Sequence, residues 1–167
     1  MLTEGQKDYL NKLTPERAGE IINISPYNPK TEIISNKVTD RIRQIIPEAD
    51  IRYMGASALK ISGQNDVDIY IICPALLKEN YLLKLTPELG QWVKNKWQWH
   101  EDEIEVSVYL SDPEDIKFRE QLETFKIFKD DPRILKEYEI LKESMSGQIY
   151  KEYQTAKYEF YNHILRY

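Results

Sequence analysis

Two aspartates separated by one valine, Asp66 and Asp68, stand at the head of "DVDIYIIC", residues 66–73, a run otherwise apolar and rich in β-branched side chains. That composition, bounded by turn-forming residues, predicts a strand. Carboxylates at the mouth of a strand are costly unless something cationic meets them. Alternation puts Asp66, Asp68 and Tyr70 on one face and Val67, Ile69 and Ile71 on the other. A second run, "EIEVSVYL" at residues 103–110, alternates strictly: Glu103, Glu105, Ser107 and Tyr109 share a face opposite Ile104, Val106, Val108 and Leu110. If the two strands are neighbours, Asp66, Asp68 and Glu105 converge, with Glu103 as the alternative third carboxylate. Oxygen-only ligation of this kind suits a hard divalent ion, magnesium or manganese in its stead, that keeps positions for water and substrate phosphates. Two such ions suit an in-line displacement at phosphorus.

Eleven positions before Asp66 lies Gly55-Ala56-Ser57, a turn after one apolar stretch and before Ala58-Leu59-Lys60, which has helical potential. Glycine permits close backbone approach, Ser57 adds a hydroxyl, and turn N–H groups can hold phosphate oxygens. A phosphate cradle beside a carboxylate cluster describes a metal-dependent site for a nucleoside triphosphate. Two other candidates are weaker. His100 and His163 have no partners at ligand spacing, and Lys60 reads as a surface lysine.

These residues need a scaffold. Ile34, Val38, Ile42 and Ile45 recur at helical spacing, predicting a helix over about 29–46, capped by Asn28 with Pro29 in its first turn and ended by Pro47. "ADIRYMG", residues 49–55, reads as a short strand. Residues 74–98 read as mostly helical, with Thr86-Pro87-Glu88 as a start signal and Trp92 and Trp97 packing on the sheet. Thr14-Pro15-Glu16 marks a short helical piece near the N-terminus. Helix starts follow at 111–114 and 131–132, and a third helix after Ser146-Gly147, where Ile149, Tyr153, Ala156 and Phe160 form a core stripe beside Tyr150, Lys157 and Tyr161. The order gives an α+β fold, a mixed β-sheet flanked by helices with a helical C-terminal segment. The expected division is an arm at 1–28, a core at 29–112 and the helical segment at 113–167 packed on the core.

The bulk numbers agree. The 167 residues suit one such unit; 41% hydrophobic and 31% charged is an ordinary globular composition. A net charge of −5 argues against a DNA-binding surface. One cysteine, Cys73, excludes a cysteine-rich zinc site, and no apolar run or leader pattern points to a membrane, so a cytoplasmic protein is expected.

Glycine, small residue, serine, a gap, Asp-x-Asp in a hydrophobic setting and a lone acid on a later strand resemble the DNA polymerase beta-type nucleotidyltransferase superfamily. The remainder resembles its GrpB-like branch: "SPYNP" at 25–29 as the entry, Phe118-Arg119, then Pro132 with Tyr138, Leu141 and Lys142, then Tyr153, Lys157 and Phe160. The resemblance covers roughly residues 25–165. It implies that Gly55, Ala56 and Ser57 bind a triphosphate, ATP being favoured. It makes Asp66, Asp68 and Glu105 the catalytic acids and the ligands of two Mg2+ ions, with Glu105 as general base. Arg119, Lys142, Tyr153 and Lys157 face the nucleotide from the helical segment. The activity implied is transfer of a nucleotidyl group to an acceptor hydroxyl, whether of a small molecule, an RNA 3′ end or a protein. Many GrpB-like chains keep only the second acid of the pair; all three here favour an active enzyme. Ala56 departs from the glycine or serine common in the superfamily but is small enough to preserve the turn. The rival readings are a non-catalytic nucleotide-binding module of the same fold and a toxin–antitoxin partner that nucleotidylates protein.

Overall fold

The computed structural model describes residues 1–166. Helices α1 (Glu4–Asn11) and α2 (Pro15–Ala18) form the N-terminal arm, followed by α3 (Lys30–Ile45), β1 (Asp50–Met54), α4 (Gly55–Ala58) and β2 (Asp66–Ile72). A 3-10 turn leads into α5 (Lys78–Leu89), then β3 (Trp92–Val93), β4 (Lys96–Glu101) and β5 (Ile104–Ser111). Three helices close the chain: α6 (Ile116–Asp130), α7 (Pro132–Ser144) and α8 (Tyr150–Arg166). The fold is α+β, with five strands in the order β1-β2-β5-β4-β3. Among the described residues β2 and β5 run parallel, and the other pairs are antiparallel.

The sheet has two unlike faces, and the sequence alternation decides which is which. Val67, Ile69 and Ile71 of β2 join Val106 and Val108 of β5 on the buried face, under Ile34, Val38 and Ile42 of α3 and Leu85 of α5. Leaving the opposite face polar costs nothing to this core, because the pleat separates the two sets. The helical layer of α6, α7 and α8 has its own core of Phe128 and Tyr138 with Ile61, which reaches Ala56 and Leu59 beside the α4 turn. The arm is tied down: Ile22 packs on Tyr150 and Tyr153, and Ser25 exchanges two backbone hydrogen bonds with Gly63 at 2.8 and 2.9 Å.

Several expectations are met locally. Asn28 Oδ1 accepts from the Lys30 amide at 3.1 Å, and α3 ends before Pro47. Thr14 caps α2 and Asp131 caps α7; the start expected at 111–114 falls later, α6 beginning at Ile116 with Asp115 as its cap. The mainly helical reading of 74–98 is corrected after Leu89. Trp97 and Trp99 alternate with Gln98 and His100, and this aromatic alternation prefers a strand. Lys94, at φ +61°, turns the chain so that Trp92 pairs with Trp97 in a β3–β4 hairpin. Thr86-Pro87 does not start a helix; Pro87 sits in the last turn of α5. Helix α1 was signalled by Thr3 and Gln6, whose side chains and backbones cap one another reciprocally. No helix of the described residues is long and apolar enough to cross a membrane.

Candidate active site

The parallel pairing of β2 and β5 fixes the acids. Asp66 stands opposite Glu105, Asp68 opposite Ser107, and Tyr70 opposite Tyr109, all on the polar face. Neighbouring strands lie about 4.8 Å apart, so Glu105 is adjacent to the aspartate pair at the level of the backbone. Glu103 lies in the turn before β5, with φ +66°, and is exposed. Of the two alternatives, Glu105 is therefore the one on the ladder beside Asp66.

The turn that follows β1 is fitted to the same strand. Gly55 has φ +87°, a region glycine adopts freely. A Cβ at that position would stand 3.2 Å from Asp68 Oδ2, so the glycine is required by both conformation and contact. Ser57 is buried, and its hydroxyl donates to the Asp66 carbonyl at 2.7 Å. Ser57 thus clamps the turn to the strand mouth. Ala56 lies against Gly63, where a Cβ would come within 2.7 Å of the Ala56 methyl.

A cavity of about 100 Å3 opens in front of Gly55, Ala56 and the two aspartates, while Ser57, expected to bind the nucleotide, is absent from its wall. Gly55, Ala56, Asp66 and Asp68 form its floor, and Lys142, Tyr153 and Lys157 descend from α7 and α8 to form its roof. Lys142 is 5% exposed; its Nζ donates to the Tyr153 hydroxyl at 2.6 Å and lies 5.3 Å from the ring centroids of Tyr138 and Tyr153. Lys157 Nζ sits 5.6 Å from the centroid of Tyr161. Arg119 is outside this cavity: it is exposed on α6, where Nε donates to the Pro113 carbonyl at 2.7 Å and the guanidinium pairs with Glu114. Glu105 is likewise absent from the cavity wall. Sequence reading missed Gln121, which lines the cavity and donates to the Tyr70 hydroxyl at 2.7 Å. The available signal was its helical spacing from Phe118, which stacks on Tyr70 at 5.7 Å.

The electrostatics are those of a site built around opposed charges. Burial raises the Asp66 carboxyl, while Lys142 and Lys157 hold it down and Glu105 pushes it further up. Asp68 is raised to about 7, first by burial and then by the charge of Asp66, with Lys157 and Lys96 opposing. Lys142 is lowered to about 8 by burial and by the neighbouring Lys157. Asp66 suppresses ionisation of Asp68, and Glu105 that of Asp66, like charges whose crowding a bound cation would relieve. Among the described residues, no group of three or more histidine, cysteine or acidic side chains is arranged to hold a metal ion, so the expected set of Asp66, Asp68 and Glu105 does not form one. The donor set that does converge is the aspartate pair. Two carboxylates with the remaining positions left to water and phosphate fit magnesium, which is seldom caged by protein alone.

No family model and no curated protein sequence matches the chain. Among solved structures it is similar to the conserved protein GrpB from Enterococcus faecalis, at 14% identity and a TM-score of 0.59, covering 85% of this chain and 99% of that one. It is also similar to the Cid1 poly(U) polymerase with MgGTP bound, at 12% identity and a TM-score of 0.49, covering 78% of this chain and 43% of that one. A chain of a GLD-2/RNP-8 complex follows at 15% identity and a TM-score of 0.43, covering 84% of this chain and 58% of that one. This chain spans less than half of the Cid1 chain. The likeness to GrpB, which covers 99% of that protein's chain, is one of fold.

Proposed function

We propose that the protein is a metal-dependent nucleotidyltransferase that moves a nucleotidyl group from a nucleoside triphosphate, ATP by preference, to an acceptor hydroxyl. The observation that carries this reading is the juxtaposition of Asp66 and Asp68 on one sheet face with Lys142 and Lys157 held above them by a separate helical layer. An acidic floor under a cationic roof is matched by a polyanion that brings its own divalent cations.

Asp66 and Asp68 would hold the magnesium, which when bound supplies charge neutralisation at the phosphates. The floor turn at Gly55 and Ala56 would lie against the triphosphate, with Ser57 keeping that turn in register with Asp66. Lys142 and Lys157 would bind phosphate oxygens on the roof side, Tyr153 orienting the Lys142 ammonium through its hydroxyl. Glu105, opposite Asp66 on the ladder, would take the acceptor's proton as its oxygen attacks. A bond forms from the acceptor oxygen to the α-phosphorus, the bond from the α-phosphorus to the oxygen bridging to the β-phosphorus breaks, and pyrophosphate leaves.

The test is incubation with labelled nucleoside triphosphates and magnesium, wild type beside Asp66→Asn/Asp68→Asn, over small-molecule, RNA and protein acceptors. The expected result is label transfer by the wild type alone; equal behaviour of the two proteins overturns the reading. A nucleotide-binding module without turnover is the second reading, and the absence of Glu105 from the cavity wall favours it. It predicts magnesium-dependent nucleotide binding, lost in the double variant, with no transfer to any acceptor.

A further inference from the structure

A second and larger cavity, about 380 Å3, lies behind the roof, between α1, α6 and α8. It shares Gln121, Lys157 and Tyr161 with the aspartate cavity, so these three side chains stand on both. Its size falls in the range of small-molecule sites, roughly 300–1,000 Å3, which the 100 Å3 aspartate cavity does not reach. A triphosphate bound at the aspartates has little room there for its nucleoside.

The walls of the larger cavity have a defined chemistry. Tyr9 and Tyr158 meet edge to face at 6.2 Å and give it an aromatic side. Apart from Lys117, Glu120 and Lys157, its polar lining consists of uncharged amides and hydroxyls. Thr124 belongs to that wall. It is 2% exposed, and its hydroxyl has no hydrogen-bond partner among the described residues. A buried unpartnered hydroxyl carries a standing cost that a ligand group can relieve. Helix α1 closes the space and is fastened for that purpose: the Gln6 and Asn162 amides exchange hydrogen bonds at 3.0 and 2.7 Å, and Asn162 also donates to the Met1 carbonyl at 2.8 Å.

We propose that this cavity is a nucleoside subsite: it takes an uncharged heteroaromatic ring with its sugar, the Tyr9–Tyr158 side offering a stacking surface and Thr124 a hydrogen bond, with α1 as its outer wall. Lys157, on the shared partition, faces the end from which a phosphate would extend. The nucleoside belongs either to the triphosphate itself or to a separate molecule bound beside it. The assignment does not depend on turnover at the aspartates.

The test uses the full-length protein and phosphate-free adenosine, guanosine, cytidine and uridine, titrated calorimetrically without magnesium. At least one nucleoside is expected to bind. Gly5 lines the cavity and a Cβ there would meet nothing within 4 Å, so Gly5→Phe should obstruct it and abolish binding. Thr124→Val should weaken binding about tenfold, a typical hydrogen-bond contribution, while raising the thermal midpoint of the free protein. That opposed pair of changes separates ligand recognition from damage to the fold. Competition between nucleoside and triphosphate assigns the site to the donor's own nucleoside; simultaneous binding assigns it to a second molecule; either supports the site. Absence of binding by all four nucleosides, or wild-type binding by both variants, overturns it. Asp66→Asn/Asp68→Asn should bind the nucleoside as the wild type does, so failure of transferase activity and failure of this site are read separately.

Discussion

At the scale of single residues, the site is governed by how closely charges and backbone approach one another. Gly55→Ala places a methyl about 3.2 Å from Asp68 Oδ2 in a backbone conformation that L-residues rarely adopt. The variant should lose about 1–3 kcal/mol in a denaturant titration. Displacing Asp68 should lower activity at least about tenfold, since misplacement of the order of an ångström at a reacting centre costs that much or more. The aspartates report on each other. Asp66 is the largest charged contributor to the raised Asp68 carboxyl, so Asp66→Asn should bring the Asp68 titration down from about 7, followed by carbon-detected NMR. Lys142→Met should act in the opposite sense on Asp66: Lys142 is the strongest influence holding that carboxyl down, and its removal should raise the Asp66 titration and weaken triphosphate binding together. An Asp66 that titrates unchanged in Lys142→Met would show that the roof and floor are not electrostatically linked.

At the scale of elements, register is the quantity that matters, and it is enforced from the buried side. Asp66 can face Glu105 only while Val67, Ile69, Val106 and Val108 remain in the core; a slip by one residue would bury the carboxylates. Trp97, fully buried on β4 against the same core, supports that register from the third strand. Trp97→Ala should cost about 3–5 kcal/mol and reduce nucleotide binding through the sheet, measured by thermal melts beside a binding titration. Much of this was legible in the sequence. Alternation at 66–73 and 103–110 identified both strands and both polar faces, and the caps at Thr14, Asn28 and Asp131 identified helix starts. The hairpin at 92–101 was missed although Asn95 offers a turn residue, because its partner Lys94, the residue at positive φ, carries no turn signal of its own. Nor could the sequence tell Arg119 from Lys142. Both are cations on amphipathic helices, and only the packing of α6 against α7 and α8 turns one into the cavity and leaves the other with Glu114.

At the scale of the whole molecule, closing the helical layer over the sheet traps opposing charges, so folding and ligation are linked through pH. Asp68 titrates near 7 in the folded protein and ordinarily near 3.8. Between about pH 4 and 7 the folded form holds a proton that the unfolded chain has released, so this group's contribution to stability falls as pH rises through that window. Lys142 titrates near 8 rather than 10.5, so from about pH 8 upward the unfolded chain holds the extra proton and stability is regained as pH rises. Without divalent ions, the thermal midpoint should therefore pass through a shallow minimum between about pH 7 and 8. On the proposed function magnesium would compete with the proton for ionised Asp66 and Asp68 in the folded form, so it should raise the midpoint more at pH 7.5 than at pH 5. In Asp66→Asn/Asp68→Asn the acid limb of the minimum and the magnesium response should vanish together, because both arise from the same two carboxylates. A magnesium response that survives in the double variant would place the ion elsewhere on the molecule and detach the metal from the strand mouth.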